Sequence, residues 1–322
     1  RQAKVKRMKK ETKTTVDCVV VTYNRLKLLK ECLAALENQT YEISNLYVVD
    51  NNSTDDTLAY LKDFSKKYKN LKIIHLNKNL GGAGGFNNGI KKFIENSDSD
   101  FVWIMDDDTI PNNDALEKLM DKVNSVTNLG FLASNIVWQD GTPAIMNIPT
   151  VSSNWNQNIT KGLVQIKSAS FVSILFPRKV IEKVGLPITD FFIWGDDVEY
   201  TLRISQAGYK GYLVNDSIAE HKIAKNIGVD IVSEENSNRI KRYYYSRRNA
   251  IFTERNRMSK AQLAKWLVKC CLVEPVKILA KAPNRKMLRI RTTYKGTIAG
   301  FFFNPKIEAV KGNKANGNKK AQ

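Results

Sequence analysis

At 322 residues and 43% hydrophobic content, the chain can bury a sizeable core, and it reads as one large globular domain with an extension. Its formal charge of +19 is unevenly placed: residues 1–13 carry seven Lys/Arg against Glu11, residues 241–322 carry 21 against Glu254, Glu274 and Glu308, and the segment between has 23 basic and 28 acidic residues. No zinc-finger, RRM-like or KH-like pattern accompanies the basic ends, which argues against nucleic acid and leaves solvent or an anionic membrane surface as what they meet.

In chain order, Val16–Tyr23 is β-branched and apolar and predicts a first buried parallel strand, followed by a helix over Leu26–Asn38 with Leu29, Leu33 and Leu36 on one face. Leu46–Val49 predicts a second strand ending at Asp50, and Ser53 or Thr54 caps a helix over Thr57–Tyr68. A third strand is expected over Lys72–Leu76, with His75 in the core. A glycine-rich loop, Asn77–Gly85, then leads into a helix ending near Glu95. Phe101–Met105 is the fourth strand, and Pro111 opens a helix that runs through Leu119–Val126. Residues 130–170 are less regular, with strands expected near Phe131–Val137 and Ala169–Phe176. A short helix over Pro177–Val184, a helix over Tyr200–Ala207 and strands near Gly211–Val214 and Ile218–His221 complete the core. Beyond Arg239 the pattern is helical to about Leu288. Alternating strands and helices at this spacing predict a mostly parallel α/β sheet with right-handed crossovers. The implied organisation is a basic extension at 1–13, a catalytic domain at 14–240, a basic amphipathic helical region at 241–312 and a disordered tail at 313–322.

Four constellations carry chemistry. The strand Phe101–Met105 ends in Asp106, Asp107 and Asp108; side chains alternate along a strand, so Asp106 and Asp108 share a side and can bridge a hard divalent cation such as Mn²⁺ or Mg²⁺ to phosphate oxygens. The same triplet would also serve as a solvated acidic turn. Trp194-Gly195-Asp196-Asp197-Val198-Glu199 places acids at a helix mouth beside an aromatic residue, which suits a general base or an ordinary acidic first turn. Trp194, Asp197 and Glu199 are candidate contacts for whatever molecule such a base would act on. His221 follows a strand and would complete a metal shell with Asp106 and Asp108, or else be structural. In Asn79-Leu80-Gly81-Gly82-Ala83-Gly84-Gly85, the glycines allow backbone N–H groups to approach an anion; Asn79, Gly81 and Gly82 are therefore candidate ligand contacts, and Asp107 is a further one.

The order TYNR, VVDNNSTD, NLGGAGGFNNG, WIMDDD, WGDDVEY and EH closely resembles family 2 glycosyltransferases of the GT-A fold, and within them bacterial galactofuranosyltransferases and the neighbouring rhamnosyltransferase-like branch. The resemblance spans roughly residues 16–250 and includes Tyr244-Tyr245 and Arg248-Asn249. It implies that Asp106 and Asp108 hold a divalent ion on a nucleotide diphosphate, that Asp196 is the base, that His221 completes the metal shell, and that Thr22, Asn24 and Asp50 contact the nucleotide. It further implies inversion by single displacement, with UDP-galactofuranose the favoured donor, dTDP-rhamnose the alternative, and a glycan or lipid-linked acceptor in cell-surface polysaccharide synthesis. A non-catalytic sugar-nucleotide-binding module is the reading from another class. Processive members carry Gln-x-x-Arg-Trp; here Gln262-Leu263-Ala264-Lys265-Trp266 reads as coincidence, so transfer of one or a few sugars is expected.

Cys18, Cys32, Cys270 and Cys271 form no CxxC pair, which fits a reducing, cytoplasmic setting, and no apolar run is long enough to predict a membrane span. From Ala261 to Phe303, apolar residues alternate with Lys and Arg. Such a segment can lie on an anionic bilayer at the inner face of the membrane, or pack on the core or on a second subunit.

Overall fold

Val16–Thr22, rich in valine, is buried at every position and forms β1, an interior strand of the sheet in the computed structural model, which describes residues 13–310. After it come α1 (Leu26–Glu37), β2 (Leu46–Asp50), α2 (Thr57–Lys67), β3 (Leu71–His75), α3 (Gly81–Asn96) and β4 (Phe101–Asp106). β1 pairs in parallel with β2 and β4, and β2 with β3. The alternation of β1 decides the layers. Val16, Cys18 and Val20 face α1 residues Leu29, Leu33 and Leu36, whereas Val19 and Val21 face Phe86, Ile90 and Phe93 of α3. All four strands end on one side, which is where an open α/β sheet places its ligands.

The chain continues through β5 (Thr109–Pro111), α4 (Ala115–Met120), β6 (Leu129–Val137), β7 (Thr150–Val151), β8 (Leu163–Ser168), β9 (Ile174–Pro177), α5 (Arg178–Val184), α6 (Asp196–Gln206) and β10 (Lys210–His221). The sheet order is β3-β2-β1-β4-β9-β6-β10-β8-β7, with β5 on β10. β9 runs antiparallel to both β4 and β6, and β8 antiparallel to β10, so the expected parallel arrangement holds for the first four strands and the β6–β10 pair. The turn after Asp108 folds straight into β5, whose Thr109 pairs with His221. Two motifs more than a hundred residues apart thereby become neighbours.

Several local expectations change. Pro111 lies in β5 rather than opening a helix, and the helix after it is shorter, starting later and ending sooner, at Ala115–Met120. The glycine run is no loop: α3 starts at Gly81. α6 starts at Asp196, four residues before the expected start, because acids favour the first turn. The 169–176 strand shrinks to Ile174–Pro177. Neither Ser53 nor Thr54 caps α2; Ser53 instead accepts a hydrogen bond from the Asn24 N–H. His75 is exposed at the end of β3, where its Nδ1 lies 2.8 Å from Asp50 Oδ2, and is not core.

The C-terminal helical run is broken into α7 (Ser237–Arg255), α8 (Lys260–Val268), a π-helical stretch at Lys269–Val273, α9 (Glu274–Lys281) and α10 (Lys286–Phe302), so it extends well past Leu288. Ser259 caps α8 in a capping box with Gln262, which restarts the helix after Met258. The expected tail at 313–322 and residues 1–12 of the basic extension lie outside the described residues. No helix among the described residues is long and apolar enough to cross a membrane.

Candidate active site

The C-terminal ends of β1, β2, β4 and β10 and the start of α6 supply the predicted site residues. Asn24 adopts φ +52°, and its Oδ1 accepts from the Thr54 N–H at 2.7 Å, tying the first two strand-to-helix turns together. Asp50 is fully buried and accepts from the Ser53 N–H at 2.9 Å. Thr22 is buried as well, and its hydroxyl donates to Asp107 Oδ2 at 2.7 Å. β4 ends at Asp106, so Asp107 and Asp108 lie in the turn beyond the strand, and the expected strand alternation does not separate them: one Asp107 oxygen is tied to β1 and the other faces the same guanidinium as Asp108.

Asp108 is where the motifs meet. Arg25 Nη1 donates to its Oδ2 at 2.5 Å and lies 3.4 Å from Asp107 Oδ1. On the other side, His221 Nε2 is 3.3 Å from Asp108 Oδ1, a buried atom without a hydrogen-bond partner. Asn147 Nδ2 donates to Ser170 Oγ at 2.9 Å, which orients the amide so that its oxygen accepts from His221 Nδ1 at 2.7 Å. The ring therefore faces Asp108 either as an imidazolium or, when neutral, with the Nε2 lone pair free. A free lone pair opposite an orphaned carboxylate oxygen fits a divalent cation. Asp106, at the end of β4, is not closed onto this pair, and among the described residues no three His, Cys or acidic side chains are grouped to hold a metal ion by themselves.

The electrostatics call for added positive charge. Burial, followed by Asp108 and Asp107, pushes the Asp106 carboxyl well above its ordinary range. Burial raises Asp107 to about 6 against the pull of Arg25. At Asp108 burial works in the same direction, but His221 and Arg25 outweigh it and hold the group below the usual carboxylate value.

The loop before α6 is shaped for its position. Phe192, Trp194 and Gly195 all have positive φ, and the Phe192 carbonyl comes so close to Gly81 that a Cβ there would sit 1.9 Å from it. Gly81 itself has φ +70°, so only glycine suits the junction. Gly84 and Gly85 are packed on Leu80 and Val21, whereas a Cβ on Gly82 would meet nothing. Most of the glycine run is thus helix packing, and Gly82 is the position left open to a ligand. Asn79 Oδ1 accepts from the Gly81 N–H at 2.8 Å and so starts the helix.

Asp196, the first residue of α6, is 7% exposed. Burial, and then the charge of Asp197, raise its carboxyl to about 8, only partly offset by backbone N–H groups at the helix start. It stands near enough to Asp106 for its charge to raise that group too. Asp197 Oδ1 accepts from the Val198 N–H, and burial lifts its pKa to about 6. Glu199 is engaged by Arg203 at 2.7 Å and Arg257 at 3.4 Å, a buried cluster that anchors α6. Trp194 packs edge-on against Tyr243 with ring centroids 5.0 Å apart.

Four residues to which the sequence reading gave no role prove to organise the site. Arg25 supplies the cation beside Asp108. Asn147 orients His221. Asn51 accepts from the Leu80 N–H and donates to the Gly81 carbonyl, both at 2.8 Å, joining β2 to α3. Asn249, fully buried, donates to the carbonyls of Phe191, Ile193 and Trp194, holding the loop that delivers Asp196. Arg25, Asn51 and Asn249 lie inside motifs that carry the resemblance; Asn147 stands in an irregular stretch without a local signal.

Residues 17–185 match the profile of Glycosyl transferase family 2. Glycosyltransferase AglE of Haloferax volcanii is 29% identical over 211 residues, covering 64% of this chain and 66% of the relative. Galactofuranosyltransferase GlfT1 of Mycolicibacterium smegmatis is 28% identical over 217 residues, covering 61% and 68% respectively, so the chain spans about two thirds of these relatives' lengths. Among solved structures, the mannosyltransferase PcManGT from Pyrobaculum calidifontis, in complex with GDP-Man and Mn²⁺, superimposes with a TM-score of 0.55 at 16% identity, covering 91% of this chain and 77% of that one.

Proposed function

The chain belongs to glycosyl transferase family 2 and is a glycosyltransferase with the GT-A fold, and on that premise we propose that it transfers galactofuranose from UDP-galactofuranose, with inversion, to a hydroxyl of a glycan or lipid-linked acceptor in cell-surface polysaccharide synthesis. The observation that carries the mechanism is Asp196: a buried carboxyl whose pKa is raised to about 8 and whose charge reaches Asp106. Held protonated below that value, Asp196 becomes available to take the acceptor hydroxyl proton as pH rises toward about 8. The freed oxygen attacks the anomeric carbon, the bond from that carbon to the diphosphate oxygen breaks, and the diphosphate leaves in one displacement.

Arg25 faces the leaving group's side of the cleft and can trade its hold on Asp107 and Asp108 for phosphate oxygens. A divalent ion such as Mn²⁺ at Asp108 and His221, completed by Asp106 and donor phosphates, would neutralise the developing charge on the diphosphate. Asp50, Thr22 and Asn24 frame the nucleotide end, Gly82 and Asp107 the sugar-phosphate end, and Trp194 and Asp197 the acceptor side. The likeness to GlfT1 supports the choice of sugar. dTDP-rhamnose is the alternative donor.

Turnover of a panel of nucleotide sugars, each with Mn²⁺, Mg²⁺ or chelator, tests the reading. UDP-galactofuranose should be used in preference, yielding the inverted anomer, and chelator should abolish transfer. Turnover of dTDP-rhamnose alone would overturn the donor assignment and leave the family membership intact.

A further inference from the structure

Of the helices after α7, α9 buries Pro275 and Ile278, whereas α10 is built inside out. On α10 the buried positions are Arg289, Thr292, Thr293, Gly296, Thr297 and Gly300, all small or polar, with both glycines against α7, whereas Met287, Ile298 and Phe302 are 70%, 61% and 84% exposed. Across α8 and α9, Val268, Leu272 and Val276 recur at four-residue spacing and are more than half exposed. The two outward stripes adjoin, because the Tyr294 hydroxyl donates to the Cys271 carbonyl at 2.5 Å. An apolar face of this extent in contact with water is a binding surface.

The charge around it selects the occupant. Lys269, Lys277, Arg291 and Lys295 are exposed along the same helices. The single acid between Lys260 and Phe302, Glu274, is held by Arg247 at 2.5 Å. Two copies meeting face to face through this surface would set like charges against each other, whereas anionic lipid headgroups would neutralise them while the apolar side chains enter the acyl boundary.

We propose that the outward face of α8–α10 is a docking surface for an anionic lipid bilayer, with Phe301 and Phe302 as its insertion tip. This rests on the proposed transferase only for its purpose. Phe302 points outward, while the next residue, Phe303, stacks on Arg248 with the guanidinium 3.9 Å from the ring centre and packs on Phe191 of the loop that leads to Asp196. The membrane tip and the base are thus joined through a few residues. An acceptor carried on a lipid would arrive beside the chemistry.

Flotation of the full chain with vesicles is the test. The protein should rise with phosphatidylcholine–phosphatidylglycerol vesicles and stay behind with phosphatidylcholine alone. Leu272→Asp/Phe302→Asp should abolish flotation, and Lys269→Glu/Lys277→Glu/Arg291→Glu should weaken it by about a hundredfold. All these side chains are exposed, so an unchanged melting temperature verifies folding, and unchanged hydrolysis of the donor in detergent keeps this question apart from that of the transferase. Flotation that survives both variants, or no flotation of the parent with the anionic vesicles, overturns the proposal. So does a parent that is dimeric in solution and becomes monomeric in the Asp variant, which would make this face an interface between copies.

Discussion

A carboxylate that is 7% exposed at the first position of α6 is poorly solvated when ionised, and the charge of Asp197 adds to the cost. Unfolded, an aspartate titrates near ~3.9; folded, this one titrates near about 8. Between those values the unfolded chain has released a proton that the folded chain keeps, so this group's contribution to stability declines as pH rises from about 4 to about 8. Asp196→Asn removes that decline. The variant should melt near the parent at pH 4 and above it at pH 8, while transfer falls about 10²–10⁴-fold with donor binding retained. In the parent, kcat/KM should rise with pH toward about 8; a flat profile would remove Asp196 from the base role. For His221, Asn147→Ala loses the acceptor that keeps Nδ1 protonated. Apparent Mn²⁺ affinity, measured by titrating activity and by isothermal calorimetry, should weaken about 10–100-fold. The acids were legible residue by residue because carboxylates after a strand or at a helix mouth carry a local signal. Arg25, Asn147 and Asn249 were not, because their roles are defined by partners about 55 to 85 positions away.

At the scale of the element, α3 shows how one run of residues can serve two purposes. Its density of glycine suggested a ligand loop, yet Gly85 lies where a Cβ would fall 2.4 Å from Val21 Cγ1, so the helix can approach β1 only without a side chain there. Gly85→Ala should cost about 1–3 kcal/mol of stability by forcing the helix off the sheet, read by denaturant unfolding. Gly82→Ala meets open space and should leave the unfolding midpoint almost unchanged while raising the donor KM; an unchanged KM would place the donor elsewhere. The expected helices over Leu26–Asn38 and Thr57–Tyr68 and the expected strands over Leu46–Val49 and Phe131–Val137 came out within a few residues, since each has a strong hydrophobic period of its own. β5, β7 and β8 did not emerge from the pattern. They are short or half-exposed; β5 and β8 exist because β10 offers them an edge to pair with, and β7 because β8 in turn offers it one.

For the whole molecule, the question is how the basic helical region relates to the acidic catalytic part. α7 answers it by carrying Arg248 and Asn249 onto the loop that leads to Asp196, and α10 is held against α7 by close contact at Gly300, where a Cβ would lie 2.5 Å from that of Ile251. Gly300→Val should part the two helices, free Phe303 from Arg248 and lower kcat more than it raises KM, although no group near the reacting atoms has changed. Equal effects on an activity-independent melting curve and on KM alone would reduce α10 to a passive prop. By itself, the sequence determined the alternation of strands and helices, the acidic clusters at Asp106–Asp108 and Asp196–Asp197, and the split between an acidic centre and basic ends, because each is written in periodicity or composition over a few adjacent residues. Only the tertiary structure decided that Thr109 pairs with His221 so that Asp108 meets the imidazole, that the glycines are packing more than ligand loop, and that α10 turns its apolar side outward. Those outcomes depend on which distant segments share a strand register or a helix face, and no short stretch of chain encodes its partner.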